Sequence, residues 1–174
     1  MAEGDVVVAL ASTGIHSNGF SLCRKVFDID NNPDSLYVAR DELGGKSIAE
    51  ALLVPTRIYV KSILALLEKV DVKGISHITG GGFYENIPRS IPQGLCAKID
   101  KSAVKVLPIF DMIAKVGSIP ERDMFNTYNM GVGMSVVVPA AEVDTALEIL
   151  RANGEDAYVI GKIIKNDDEQ VILA

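Results

Sequence analysis

A continuous apolar run near the start of the chain, Val6–Ala11, places the strongest constraint on how this sequence folds. The run is rich in β-branched residues and has no polar alternation, which is typical of a buried strand. A polar loop, residues 12–19, follows it and leads into a segment with Phe20, Cys23 and Phe27 at helical spacing. We therefore predict a strand, a loop and a helix in this order, with the strand covered by other elements.

The rest of the chain continues to mix strand-like and helix-like patterns. Helices are predicted at residues 20–27, 47–53, 57–70, 83–88, 108–116, 120–125 and 143–150. Further strands are predicted at 74–78, within 94–105 (one or two strands), and at 132–138, 157–164 and 171–173. The last two resemble a hairpin with a turn at 166–168, and residues 28–46 form a long loop. This mixture predicts an α/β fold of the α+β type: one domain, residues 1–174, with a mixed sheet flanked by helices.

Composition excludes several classes of function. The net charge is −6 and no run of Lys and Arg occurs, which argues against a nucleic-acid binder. Cys23 and Cys96 are far apart and belong to no Cys/His cluster, so we expect them in the core and predict no metal site. No apolar run approaches the roughly 20 residues of a membrane-spanning helix, and no signal peptide is evident. We expect a cytoplasmic protein with no membrane partner.

The strongest local signal is the glycine-rich segment His77–Gly82, which follows a predicted strand and precedes a predicted helix. Glycines permit positive φ and close approach of a ligand, and free amides at a helix start favour an anion. The spacing matches neither a Walker A loop nor a dinucleotide fingerprint. We select Gly80, Gly81, Gly82 and Asn86 as candidate substrate- or phosphate-binding residues. A tight turn without a ligand is an equally good interpretation of the geometry.

A second candidate loop contains Ser17, Asn18 and Gly19. Its side chains offer donors and acceptors for a ligand, but Ser17 or Asn18 could instead cap the helix that begins near Phe20. Both loops follow a buried strand and precede a helix, which is where ligands gather in open α/β sheets. If the two strands are parallel and adjacent, the two loops face one crevice.

Catalytic side chains are not identifiable from the residues alone. His16 and His77 are the only histidines, and either could be a general acid or base, although a buried His77 bonded to backbone is the preferred interpretation. No Gly-x-Ser-x-Gly elbow supports a hydrolase triad. In the segment Asn126–Met134, two alternating glycines at the start of a strand indicate a bulge or close approach of a ligand or chain, with tight packing as the alternative.

Taken together, these segments resemble the C-terminal domain of the phosphoribosylformylglycinamidine cyclo-ligase (AIR synthetase) family over nearly the whole chain. The segments that carry the resemblance are Gly4–Ala11, Gly14–Leu22, Pro55–Val60, His77–Arg89, Tyr128–Met134 and Gly154–Gly161. Related ATP-using enzymes, such as selenophosphate synthetase and thiamine-monophosphate kinase, share the fold and a glycine-rich loop. They are not similar in Pro55–Val60 combined with His77–Gly82.

The resemblance implies ATP-dependent ring closure of formylglycinamidine ribonucleotide to aminoimidazole ribonucleotide in purine biosynthesis. Family members carry most ATP and magnesium ligands in an N-terminal domain with an Asp-Gly-Val-Gly-Thr-Lys segment, which this sequence lacks. The chain is therefore expected to be a truncated, substrate-side half that is inactive alone, binds neither ATP nor magnesium tightly, and works with the missing domain in a homodimer. Another enzyme of the superfamily, or a non-catalytic phosphate-binding module, stays open as an alternative.

Overall fold

The computed structural model describes residues 1–174 and contains strands and helices close to those predicted. The strands are β1 (Val6–Ala11), β2 (Gly74–His77), β3 (Leu95–Ile99), β4 (Val132–Val138), β5 (Ala157–Lys165) and β6 (Val171–Leu173). The helices are α1 (Phe20–Val26), α2 (Ile48–Leu52), α3 (Val60–Leu67), α4 (Gly82–Asn86), α5 (Pro108–Gly117), α6 (Glu121–Thr127) and α7 (Val143–Ala152). None of the helices combines the length and the apolar character needed to cross a membrane.

All six strands form one mixed sheet in the order β2-β4-β1-β5-β3-β6. The strand β1 pairs antiparallel with β4 on one side and with β5 on the other. Outside these, β2 pairs antiparallel with β4, and β3 pairs antiparallel with β5. The predicted hairpin between β5 and β6 is wrong, because β1 and β3 already occupy both edges of β5. The final strand pairs instead with β3, in parallel.

The sheet separates two hydrophobic cores, as its alternating side chains require. In β1, Val7 and Ala9 point into the larger core, which the helices α1, α2, α4, α5 and α6 cover. Val8 and Leu10 point into the smaller core under α3 and α7. Burial on both faces explains why this strand is apolar at every position. Both cysteines are buried, as the sequence predicts.

Three predicted elements differ in extent from the observed ones. The helix predicted at 57–70 is only Val60–Leu67, because Arg57 and Tyr59 are held by contacts outside it. Residues 94–105 contain one strand, and the chain then turns into a short 3₁₀ helix capped by Asp100. The loop 28–46 includes two 3₁₀ helices, at Pro33–Tyr37 and Asp41–Leu43.

Candidate functional site

The two candidate loops meet at the end of the sheet where β1 and β2 terminate, and we call this end the candidate edge. Strands β1 and β2 both run antiparallel to β4, so they run parallel to each other and their carboxyl ends lie on the same edge. They are not adjacent, contrary to the arrangement considered from the sequence, because β4 lies between them. The loops span that gap: a Cβ atom placed on Gly80 would lie 3.3 Å from Asn18 Oδ1.

Free backbone amides are the main chemical feature of this edge. The N–H groups of Phe20 and Ser21 at the start of α1, and of Phe83 and Tyr84 at the start of α4, donate to no acceptor within the chain. Both helices are short, with seven and five residues, so the helix dipole contributes little here. The amides themselves make the edge receptive to an anion.

Helix capping does not account for Ser17 and Asn18. The N-cap of α1 is Gly19, whose φ of 81° is left-handed, and no side chain caps the helix. The capping alternative for these two side chains is therefore wrong. Ser17 Oγ instead lies 3.1 Å from Thr56 Oγ1, and Thr13 Oγ1 donates to the Pro55 carbonyl at 2.8 Å. The segment after Pro55 thus holds one side of the first loop.

The end of α6 and the turn that follows it brace both loops, and we call residues 125–131 the brace turn. A Cβ atom on Gly19 would overlap the Tyr128 ring, and one on Gly82 would overlap the Phe125 carbonyl. The Tyr128 hydroxyl donates to the Gly19 carbonyl at 3.0 Å. Both glycines are therefore required by packing as well as by their positive φ angles, 81° and 55°.

Asn129 of the brace turn holds the first loop through both the nitrogen and the oxygen of its side-chain amide. Its Nδ2 donates to the Gly14 carbonyl at 2.9 Å, and its Oδ1 accepts from Ser12 Oγ and from the Gly131 amide, both at 2.9 Å. The side chain is buried. Neither Asn129 nor Tyr128 was singled out from the sequence as a site residue. The available signal is their place in the segment Asn126–Met134, where the alternating glycines indicate close approach or tight packing.

Asn86 plays the same part for the glycine-rich loop. Its Nδ2 donates to the Gly82 carbonyl at 2.7 Å and to the Gly80 carbonyl at 3.1 Å, and its Oδ1 accepts from Thr79 Oγ1 at 3.1 Å. The side chain is buried, with its hydrogen bonds made inside the loop. The structure therefore shows that Asn86 fixes the shape of the loop.

One carboxylate lies at the edge of the candidate site. The Glu85 side chain extends from α4 over Gly81, which has a φ of 91°. Glu85 is exposed, so its side chain can move aside at little cost. An anion on the glycine-rich loop requires that movement, or a cation between the two charges.

The two histidines have environments opposite to those expected. His77 is exposed, so the prediction of a buried, backbone-bonded His77 is wrong. The buried histidine is His16, whose Nε2 accepts from the Thr13 amide at 3.2 Å while its Nδ1 has no partner. Burial, with a smaller effect of His77, lowers the pKa of His16 to about 4. His16 is therefore neutral at pH 7 and carries its proton on Nδ1.

The ring of Tyr59 lies between these histidines. Its centroid is 6.4 Å from that of His16 and 6.2 Å from that of His77. Its hydroxyl donates to the Ala11 carbonyl at 2.8 Å, and burial raises the pKa of the phenol above its ordinary range. Tyr59, at the centre of the cluster of His16, Tyr59 and His77, is therefore uncharged.

The segment Asn126–Met134 contains both the bulge and the tight packing that the sequence left open. Leu10 pairs with Met134 and Ala11 with Val132, so Gly133 is the extra, bulged residue. A Cβ atom there would overlap the Tyr59 hydroxyl. Gly133 therefore leaves the space that the Tyr59 side chain occupies.

The selected site residues do not line the larger cavities of the domain. The two larger cavities, of about 640 and 790 Å³, contain none of the selected site residues. No group of three or more His, Cys, Asp or Glu residues is arranged to hold a metal ion. The chemistry that the candidate edge supports by itself is the binding of an anion by backbone amides.

Comparison with known proteins identifies the family. Residues 2–174 match the family described as AIR synthase related protein, C-terminal domain. The chain is 52% identical over 170 residues to the phosphoribosylformylglycinamidine cyclo-ligase of Caldicellulosiruptor saccharolyticus, covering 98% of this chain and 50% of that protein. It is 53% identical over 169 residues to the cyclo-ligase of Caldicellulosiruptor bescii, covering 97% and 49%. The chain thus spans about half the length of the curated relatives it matches.

Solved structures share the fold at low sequence identity. Escherichia coli HypE, a hydrogenase maturation protein, matches with a TM-score of 0.60 and 18% identity, over 100% of this chain and 47% of that one. Thiamine-monophosphate kinase from Stenotrophomonas maltophilia matches with a TM-score of 0.60 and 14% identity, over 99% and 50%. The α/β fold with a mixed sheet is therefore confirmed. This chain belongs to the family of AIR synthase related proteins and corresponds to their C-terminal domain.

Proposed function

We propose that the full-length protein containing this chain is a phosphoribosylformylglycinamidine cyclo-ligase, and that this chain is its substrate-side domain. The full-length protein would convert formylglycinamidine ribonucleotide to aminoimidazole ribonucleotide, with ATP converted to ADP and phosphate. The observation that carries the proposal is the meeting of the loops around Asn18 and Gly80 at one edge, in a chain about half identical to curated cyclo-ligases. The expected homodimer and cytoplasmic location of the full-length protein stay predictions.

The free amides at the start of α1 and α4 support binding of the ribonucleotide phosphate. Phosphate oxygens accept hydrogen bonds from backbone N–H groups, and the glycines at 80 and 81 let an anion approach the main chain. Ser17 and Asn18 would contact the ribose or the formylglycinamidine portion. Because Asn86 and Asn129 fix the shapes of the two loops, the amides are held in place before the ligand arrives.

The ATP-dependent step requires groups that this chain does not provide. Transfer of a phosphoryl group needs magnesium and neutralisation of developing charge, and the chain has no carboxylate cluster that fits a metal. ATP use by the full-length protein is supported by the nucleotides bound in structures that share the fold. One matching structure is a HypE protein in complex with ATP, and another is a ThiL protein complexed with AMPPCP and TMP.

Substrate-dependent phosphate release by the full-length protein tests the proposal. Purified protein with magnesium-ATP should release phosphate only when formylglycinamidine ribonucleotide is present, with an equal amount of aminoimidazole ribonucleotide formed. Formation of ADP without release of phosphate, driven by thiamine monophosphate or another phosphoryl acceptor, would favour a different enzyme of the superfamily. Binding of ribose 5-phosphate without any turnover would favour a non-catalytic phosphate-binding module.

A charge introduced beside the glycine-rich loop tests whether Asn18 belongs to the substrate site. Asn18→Asp keeps the size of the side chain but places a negative charge beside the glycine-rich loop, so we expect KM for the ribonucleotide to rise by about tenfold or more. The matched control is Asn32→Asp, an exposed residue that precedes the 3₁₀ helix Pro33–Tyr37 and makes no side-chain cap hydrogen bond to it. An equal KM for both variants would remove Asn18 from the substrate site.

A further inference from the structure

The outer side of α3 carries an apolar stripe that nothing in this chain covers. Val60, Leu64 and Leu67 follow one another at helical spacing and are 62%, 58% and 48% exposed. Ile58, just before the helix, is 81% exposed. The opposite side of the helix packs on the sheet through Leu66. A helix that is apolar on both sides is typical of one buried between two layers of protein. We call these four exposed residues the α3 outer face.

The apolar surface continues from α3 to the edge of the sheet. A groove of about 380 Å³ lies beside the helix; its lining includes Ile58, Val60, Leu64, His77 and Met134. His77 belongs to β2, which is an edge strand, and Ile75 on the same face of that strand is also exposed. Arg57, the one Lys or Arg residue of the groove, is paired with the buried carboxylate of Glu155 at 2.6 Å. Contiguous apolar surface of this kind marks an interaction site.

The additional length of the relatives indicates which segment of protein covers the α3 outer face. They are twice as long as this chain, and its family is a C-terminal domain, so the additional half precedes residue 1. The Met1 side chain packs against Gly74 at the start of β2, since a Cβ atom on that glycine would lie 2.9 Å from Met1 Cε. Met1 therefore lies beside the start of the edge strand whose other end, His77, borders the groove. Four residues of strand span only about 13 Å.

We propose that the α3 outer face is the surface on which the preceding half of the full-length protein docks. A covalently attached domain that emerges about one strand length away has a high effective concentration at this surface, which favours it over a second copy. Because His77 leads directly into the loop 79–82, docking here brings the preceding half against the candidate edge. The inference depends on family membership and on the exposed face, and not on the reaction proposed above.

Carbene footprinting of the full-length protein measures whether the α3 outer face is covered. We expect Val60, Leu64 and Leu67 to be labelled at least about fivefold less than Val116, because the core of an interface excludes solvent. Val116 on α5 is the reference, since it is 54% exposed in this domain. The protection should persist on dilution to concentrations at which the protein is monomeric, as shown by analytical ultracentrifugation.

Two variants of the full-length protein complete the test. Leu64→Asp should raise labelling of Val60 to the level of Val116, because an unpaired carboxylate is unfavourable in an apolar interface. Val116→Asp is the matched control and should leave α3 labelling unchanged. Slow hydrogen exchange in β4 must be retained in both variants, which shows that this domain stays folded. Labelling of wild-type α3 equal to that of Val116 would overturn the proposal, and so would protection that disappears on dilution, which would identify a second copy as the occupant.

Discussion

The buried His16 predicts a specific dependence of stability on pH. The residue is 4% exposed, its Nε2 accepts from the Thr13 amide, and its pKa is lowered from 6.5 to about 4. Below about pH 6.5 the histidine of the unfolded chain therefore gains a proton that the folded chain does not take up until the pH approaches 4. Because the unfolded state binds more protons in this window, the free energy of unfolding falls as the pH falls.

The size of the effect follows from the two pKa values. Between pH 7 and about pH 5, the difference in proton binding lowers the free energy of unfolding by about 2 kcal/mol. The substitution His16→Asn removes this contribution and keeps a residue that tolerates the positive φ of 56°. The free energy of unfolding of the variant should therefore fall by about 2 kcal/mol less than that of the wild type over the same pH range.

Urea unfolding of the isolated chain at several pH values measures this difference. His77→Asn is the matched control, because it removes the exposed histidine and leaves burial, the larger cause of the shift at His16, in place. The control should keep most of the pH dependence of the wild type. If His16→Asn and the wild type lose equal stability on acidification, the assignment of a buried neutral imidazole is wrong.

Three further predictions concern the loops and the fragment. Tyr128→Phe should lower the free energy of unfolding by about 1–2 kcal/mol, because its buried hydroxyl bonds the Gly19 carbonyl and lies 3.3 Å from Cys23 Sγ; unchanged urea denaturation would contradict this. Gly81→Val should reduce kcat/KM of the full-length protein more than it reduces the folded fraction, since a β-branched residue resists a φ of 91° and blocks approach to the main chain. Equal losses by kinetics and circular dichroism would show that the glycine serves only the turn. The isolated chain should form no ADP or aminoimidazole ribonucleotide above the protein-free blank, and turnover that follows the chain through purification would contradict its assignment as the half without ATP chemistry.

The sequence alone was sufficient to predict the elements that depend on local pattern. Apolar runs located the strands at Val6–Ala11 and Val132–Val138 with their observed bounds, because a strand covered on both faces is apolar at nearly every position, here with Ser135 as the one polar residue. Glycines between a strand and a helix located both loops of the candidate edge. At Gly19 and Gly81 the positive φ angles of 81° and 91° are the local conformations that glycine permits.

Strand pairing was decided only by the tertiary structure, because neighbouring strands compete for a limited number of edges. The strand β4 lies between β1 and β2, and β6 pairs with β3, although no local pattern distinguishes these pairings from the expected ones. The histidines show the same limit. His77 is exposed since β2 is an edge strand, whereas His16 is buried among Thr13, Tyr59 and Gly133.

The contacts of the brace turn are the part of the site that the sequence could not reveal. Tyr128 contacts Gly19 across 109 positions, and Asn129 contacts Gly14 across 115 positions. Periodicity and turn signals extend over a few residues, so they carry no information about such pairs. Amino-acid type and order thus determined where the chain could bend and which segments had to be buried. Only the packed sheet determined which side chains would hold the two loops together, because that depends on contacts between residues distant in sequence.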